Sequence, residues 1–265
     1  MSDSPKQRRS PNLRDPRSIL ITGASSGIGE ALALAYAAPG ITLALSGRDN
    51  GRLAAVVGLC RKRGARVRGD CVDVTDTSGL AAWLRDLEAE TPPDLVIANA
   101  GVSAGTARGI EDGAQTRRIF ATNVDGVFNT VLPLVPGMVA RRRGQIAIMS
   151  SLASFRGLPG APAYCASKAA VRVWGEALRA ELAGSGVGVS VICPGFVVSR
   201  MTASNDFRMP LLMSADRAAQ IIIRGLARNR GRIAFPWPMY LATRLLAALP
   251  DVLIDPLLRR APRKG

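Results

Sequence analysis

Thr22-Gly23-Ala24-Ser25-Ser26-Gly27-Ile28-Gly29 follows a short apolar run, Ile19-Leu20-Ile21, and opens an Ala/Leu-rich helical pattern over residues 28–38. A strand, a glycine-rich turn and a helix in that order are suited to holding a pyrophosphate. Gly23 permits a sharp exit from the strand, Gly27 lets the backbone approach a phosphate with no side chain in the way, and Gly29 allows the helix to pack closely. The free N–H groups of the helix N-terminus then face the phosphates. Thr22, Gly23, Ser25, Ser26, Gly27, Ile28 and Gly29 are therefore the first candidate cofactor-binding residues.

Outward from this turn the pattern repeats. Short apolar runs stand at 41–45, 66–72, 95–97, 145–149, 187–192 and 232–235, and helical patterns at about 53–59, 80–87, 111–142, 163–182 and 215–227 separate them. Such alternation predicts βαβ units with right-handed crossovers, hence an α/β fold with a doubly wound parallel sheet and helices on both faces. No composition break marks a second domain, and there is no internal repeat. The expected organisation is a polar, proline-punctuated, disordered basic lead-in over residues 1–17, one Rossmann-type domain over residues 18–236, and an amphipathic leucine-rich extension with a basic end over residues 237–265.

Composition excludes several chemistries. The 265-residue chain has no histidine, so Ser-His-Asp and Cys-His nucleophile systems and imidazole metal sites are ruled out. Cys60, Cys71, Cys165 and Cys193 include no close pair, which argues against a zinc ribbon or a CxxC redox site and suggests a reducing compartment. No metal site is expected. Residues 1–17 lack the apolar segment of a secretory signal. The expected location is cytoplasmic, or peripheral to a membrane.

The formal net charge is +15, from 35 basic and 20 acidic side chains. The first 17 residues carry five basic and two acidic groups and the last seven carry four basic ones, so the two ends hold +7 of the total. Solvated surface arginines account for the rest. Aromatics make up 5% of the chain and no stacking platform or nucleic-acid-binding motif is present, so no nucleic-acid partner is expected. In the extension, Leu241, Leu245, Leu246 and Leu249 are placed on one helical face. No apolar stretch there approaches the roughly 20 residues that span a bilayer. The extension is read as packing over the fold or against another subunit. The alternative is contact with a membrane surface, supported by Trp237, Tyr240 and the pairs Arg259-Arg260 and Arg263-Lys264.

The spacing T-G-x-x-x-G-x-G, with several further motifs in order between residues 19 and 235, resembles the short-chain dehydrogenase/reductase family. The resemblance implies a single Rossmann-type domain of about seven parallel strands and nicotinamide-dependent hydride transfer. It also implies that Asp73-Val74 receives the adenine, and that Asn99-Ala100-Gly101 continues the cofactor site. The family's N-N-A-G signature begins here with Ala98, a departure that bears on a sheet contact. Pro194, Gly195, Val197 and Ser199 correspond to the segment that contacts the nicotinamide, with serine where the family often has threonine.

After the second strand the chain reads Leu45-Ser46-Gly47-Arg48-Asp49. NAD-binding Rossmann proteins place an acidic residue there for the ribose 2′-hydroxyl, and Gly47 leaves that position empty. Arg48 can hold a 2′-phosphate through charge-assisted contacts. NADP(H) is therefore the expected cofactor, with NAD(H) left open by Asp49.

Tyr164 and Lys168 are four residues apart in Tyr-Cys-Ala-Ser-Lys, which stacks them on one helical face. A nearby ammonium is expected to lower the phenol pKa and so supply the proton chemistry that histidine cannot. Lys168 is one of only four lysines in the chain. By resemblance, Ser151 holds the substrate oxygen, with Ser150 as the adjacent competitor, and Asn123 positions a water beside Lys168. Asn123, Ser151, Tyr164 and Lys168 are the candidate catalytic residues. The expected reaction is NADPH-dependent reduction of a ketone or aldehyde. Met201, Phe207, Met209, Leu211, Leu212 and Met213 in a lid over residues 200–213 suggest an apolar or lipid-like substrate. Alcohol oxidation on the same fold and a non-catalytic NADP(H)-binding sensor or scaffold are the alternatives. The resemblance further implies a homo-dimer or homo-tetramer built on helices near 111–129 and 163–182.

Overall fold

The computed structural model describes residues 15–106, 109–203, 205 and 207–259, with the side chains of 257–259 excepted. Most of the lead-in and the basic residues Arg260, Arg263 and Lys264 lie outside the described residues. The elements, in chain order, are β1 (Ser18–Thr22), α1 (Gly27–Tyr36), β2 (Thr42–Ser46), α2 (Asn50–Lys62), β3 (Arg66–Asp70), α3 (Thr77–Glu90) and β4 (Leu95–Ala98). They continue as α4 (Gly113–Phe120), α5 (Gly126–Val131), α6 (Val135–Ala140), β5 (Gly144–Met149), α7 (Pro162–Glu181) and β6 (Val187–Pro194). The last are α8 (Arg200–Ala203), α9 (Ala215–Ala227), β7 (Arg232–Phe235), α10 (Trp237–Ala248) and α11 (Asp251–Arg259).

The seven strands form one sheet in the order β3-β2-β1-β4-β5-β6-β7. Each pairing is parallel, with β1 matched to β2 on one side (Ile19 opposite Leu43) and to β4 on the other (Ile19 opposite Leu95). Period-2 alternation sorts the strand residues into two cores. Ile19, Ile21, Leu43, Leu45, Leu95 and Ile97 pack with Leu32, Leu53, Val57, Ala218 and Ile222 from α1, α2 and α9. Leu20, Ala44, Val96, Ile146, Ile148 and Val189 pack with Leu80, Leu84, Val127, Met138 and Val171 on the opposite face. Burial on both faces explains why the strands read as nearly continuous apolar runs. Edge strand β3 is the exception, and its charged Arg66 and Arg68 make it a poor template for a further strand.

The strand order reverses between β1 and β4, and a crevice opens there at the carboxyl ends of the strands, where α1 begins. The helical stretches expected over about 111–142 are α4, α5 and α6. A π-helical turn, Ala121–Asp125, separates α4 from α5, and a 3₁₀ turn, Leu132–Leu134, separates α5 from α6. Pro133 and Pro136 cause the second break, since proline supplies no amide donor and is accommodated at the start of a helical segment.

Residues 237–259 form two helices after the last strand. Leu246 does not share the outer face expected for it. Leu241, Leu245 and Leu249 are exposed, whereas Leu246 turns to the interior and lines a cavity. Nine residues beyond Trp237, it stands half a turn away from it around the helix.

Candidate active site

The glycine turn at the end of β1 adopts backbone that side chains resist. Gly23 and Gly27 have φ of +66° and +59°. A Cβ on Gly23 would lie 2.8 Å from the Ala100 Cα, and one on Gly29 would lie 2.3 Å from the Gly23 carbonyl oxygen. The turn is tied to the exit of β4. The Thr22 hydroxyl accepts from the amides of Asn99 (3.1 Å) and Ala100 (3.2 Å), and Asn99 Nδ2 donates to the carbonyls of Thr22 (2.9 Å) and Gly23 (3.1 Å). Thr22 is buried and does not face the cavity, nor does Gly29, so both support the turn rather than line the site. Gly23, Ser25, Ser26, Gly27 and Ile28 do line it. Ser26 is the N-cap of α1 yet makes no capping side-chain hydrogen bond, which leaves amide donors of the first turn for an anion.

The cavity occupies about 1140 Å³ and runs along the carboxyl ends of the strands. At one end stand Gly47, Arg48, Asp73 and Val74. A side chain at Gly47 would begin 3.0 Å from Ser25 Oγ, so the glycine turn itself disfavours an acid at that position. Asp49 is committed elsewhere: it caps α2 by accepting from the Arg52 amide at 2.9 Å and pairs with the Arg52 guanidinium at 2.5 Å. Arg48 is 58% exposed at the rim, 4.0 Å from Asp73. Asp73 Oδ1 also accepts from the amide and hydroxyl of Thr75, both at 2.9 Å, which fixes the loop after β3. Asn99, Ala100 and Gly101 form the floor beside this end.

At the other end Ser151, Tyr164 and Lys168 line the same cavity. Ser151 follows β5, and Tyr164 and Lys168 project from α7 one turn apart. Ser150 and Ser151 are now distinguished. Both line the cavity, but the Ser150 hydroxyl donates to the Lys168 carbonyl at 2.8 Å, which ties β5 to α7. The Ser151 hydroxyl lies close enough to the Tyr164 phenol to favour its ionised form, and it accepts from the Ala153 amide at 3.1 Å. It also contacts the Pro194 carbonyl at 3.5 Å.

Lys168 is 3% exposed, and its Nζ donates to the Met149 carbonyl at 2.8 Å. Burial lowers its pKa to about 8. The same burial raises the Tyr164 phenol above its ordinary value, against a smaller lowering from the Ser151 hydroxyl. The expected lowering of the tyrosine pKa by the lysine is therefore not realised in this chain. The ammonium lies 6.0 Å from the phenol ring centre, and desolvation of the phenolate outweighs its attraction.

Asn123 lies in the π-helical turn and is fully buried. Its Oδ1 accepts from the Val102 amide at 2.8 Å, and its Nδ2 donates to the Val102 carbonyl at 2.9 Å and to Ser167 Oγ at 3.0 Å. It does not line the cavity. Its side chain instead fixes the loop after β4 against α7, behind Lys168: a Cβ on Gly101 would be 3.2 Å from both Asn123 Oδ1 and Lys168 Nζ. Pro194, Gly195, Val197 and Ser199 complete the floor near Ser151.

The model of the short chain dehydrogenase family matches residues 17–208. The chain belongs to the short-chain dehydrogenase/reductase family. An uncharacterized oxidoreductase of Myxococcus xanthus is 41% identical over 245 residues, 92% of this chain and 97% of the relative. A short-chain dehydrogenase of Sphingobium yanoikuyae in complex with NADPH superposes with a TM-score of 0.78 at 26% identity, covering 94% of this chain and 97% of that one. A short-chain dehydrogenase/reductase of Burkholderia phymatum in complex with NAD gives 0.81 at 28% identity, covering 95% and 98%. This short-chain dehydrogenase/reductase is thus an NAD(P)-dependent oxidoreductase acting on CH–OH and C=O groups. Its cavity fits the dinucleotide: uncapped amides and side-chain-free backbone stand where a pyrophosphate needs them, and the proton-bearing side chains stand at the far end.

Sequence reading missed part of the wall. Phe196 and Thr202 line the substrate side together with the expected Met201 and Phe207, and the tail adds Met239, Thr243, Leu246 and Ile254. Arg156 also lines the cavity and pairs with Asp251 of α11 at 2.7 Å. The i, i+4, i+7 spacing of 239, 243 and 246 was the available signal. Of the expected lid, Met209 and Leu212 do not line the cavity; Leu211 is exposed at positive φ, and Met213 is buried beside Val197.

Proposed function

We infer that this dehydrogenase reduces an apolar or lipid-like ketone or aldehyde to an alcohol at the expense of NADPH. The observation that carries the reading is one cavity lined at once by the glycine turn, Arg48, Ser151, Tyr164 and Lys168. Bound NADPH would supply the hydride for the carbonyl carbon. Ser151 and the Tyr164 hydroxyl hold the carbonyl oxygen and polarise it. Tyr164 gives its proton to that oxygen, and its raised pKa keeps it protonated until then. Lys168, with a pKa near 8, can return a proton to the phenolate, while Asn123 holds the loop beside it.

The apolar substrate is supported by the wall of Phe196, Met201, Phe207, Leu246 and Ile254. NADPH over NADH is supported by Gly47, Arg48 and the commitment of Asp49 to the α2 cap. The protein works in the cytoplasm as a homo-dimer or homo-tetramer, a reading supported by exposed Leu132 beside α5 and Val173 on α7. The test is NADPH consumption across methyl ketones of increasing chain length, with Tyr164→Phe beside the parent. Turnover rises with chain length and falls by about 10²–10⁴-fold in the variant while NADPH affinity is unchanged. Undiminished turnover by Tyr164→Phe would refute the assignment.

A further inference from the structure

Helices α10 and α11 carry two apolar faces. Inward, Met239, Thr243, Leu246 and Ile254 wall the cavity. This face is held down by the edge-on contact of Phe155 with Tyr240 at 5.5 Å, the Arg232 hydrogen bond to the Tyr240 hydroxyl at 3.0 Å and the Arg156–Asp251 pair at 2.7 Å. Outward, Trp237, Leu241, Leu245 and Leu249 recur every four residues and are 70%, 48%, 61% and 38% exposed. On α11, Val252 and Leu253 are also exposed, at 78% and 57%. Four-residue spacing makes one stripe along a helix, and a soluble surface rarely leaves so continuous a row uncovered.

Charge distinguishes between occupants. Over residues 237–265 there are five basic side chains (Arg244, Arg259, Arg260, Arg263 and Lys264) and two acidic ones, in a chain of net charge +15. Four of the five basic residues fall within positions 259–265, at and after the end of α11; anionic headgroups would attract that basic end, whereas a second copy would bring up the same like charge. We propose that the outer face of α10 and α11 seats on an anionic lipid surface. Trp237 and the leucines enter the boundary between headgroups and acyl chains, and the basic end lies against the phosphates. Because the other side of the same helices walls the cavity, the bilayer is also the source from which an apolar substrate arrives. That last step rests on the proposed function; the docking itself does not.

The test is flotation of the full-length protein with vesicles of phosphatidylcholine alone and of phosphatidylcholine with about 30% phosphatidylglycerol. The protein floats with the anionic vesicles, and its tryptophan emission shifts to the blue in the parent but not in Trp237→Phe. Leu241→Asp with Leu245→Asp weakens vesicle binding by about tenfold or more, with unchanged melting temperature and NADPH affinity. Arg263→Glu with Lys264→Glu, which leaves the leucine row unchanged, weakens it severalfold and serves if the leucine variant does not fold. Absence of flotation on both lipids overturns the proposal. So does a leucine variant that turns a dimer into a monomer while vesicle binding is unchanged, and so does equal binding to neutral vesicles. NADPH affinity and turnover are read separately, so failure of the lipid step is distinguishable from failure of the proposed reaction.

Discussion

Replacing Arg48 by alanine tests the cofactor reading most directly. The guanidinium stands at the rim, 58% exposed, with Asp73 4.0 Å away. A charge-assisted hydrogen bond to a phosphate is worth about 1.5–3 kcal/mol when well formed. Solvent screening at this exposure and competition from Asp73 reduce that to about 1–2 kcal/mol. The dissociation constant for NADPH should therefore rise by roughly 5–30-fold. NADH has no 2′-phosphate, and its constant should change by less than about twofold. Titration of cofactor fluorescence at two ionic strengths measures both, and the NADPH effect should shrink at high salt. Arg52→Ala is the companion variant, because Arg52 also lines the cavity but is held by Asp49 at 2.5 Å. An unchanged ratio of NADPH to NADH affinity in Arg48→Ala would refute the reasoning. A ratio that moved only in Arg52→Ala would transfer the role to that residue.

Lys168 predicts a pH signature. Its folded pKa is about 8 against an ordinary 10.5, so between those values the unfolded chain holds a proton that the folded chain has released, and stability rises with pH. Over the whole window the rise is about 3 kcal/mol, and Lys168→Met removes it. From about pH 9 the raised thiols of Cys60, Cys165 and Cys193, and from about pH 10 the raised Tyr164, act in the opposite direction, because the unfolded groups ionise first, so the Lys168 contribution is read as the difference between the two proteins. Denaturant unfolding between about pH 7.5 and 9.5 checks the difference, and parallel profiles for the two proteins would contradict it. Two glycines make a paired prediction. Gly29→Ala puts a methyl 2.3 Å from backbone oxygen and should cost about 2 kcal/mol or more, whereas Gly58→Ala in α2 meets nothing within 4 Å and should stabilise by up to about 1 kcal/mol. Thermal melts distinguish the outcomes, and equal melting temperatures for the two variants would overturn the steric account. Ser151→Ala should abolish most turnover as well as lose the hydrogen bond from the Ala153 amide, while Ser150→Ala should keep most turnover and lower the melting temperature through loss of its bond to the Lys168 carbonyl, so turnover is the readout that separates them.

Much of the fold was legible because its signals are local. The apolar runs that became β1 to β7 alternate with helical patterns along the chain, and a parallel sheet buried on both faces leaves few other ways to connect them. The glycine turn was legible because glycine adopts φ of +66° and +59° without strain and leaves room for the approach of Ala100. Tyr164 and Lys168 stood out because four-residue spacing on a helix is already a geometric statement.

The sequence by itself therefore determined the sheet, the nucleotide turn and the shared face of Tyr164 and Lys168. Tertiary structure alone decided that Thr22, Gly29 and Asn123 stand behind the cavity rather than in it, and that Asp49 caps a helix. It also separated Ser150 from Ser151, turned Leu246 inward beside Met239, and raised the tyrosine pKa where proximity to lysine had suggested a fall. The physical reason is common to these cases. Periodicity and backbone sterics act between near neighbours in the chain, whereas desolvation and hydrogen-bond commitment depend on which distant segments pack against each other.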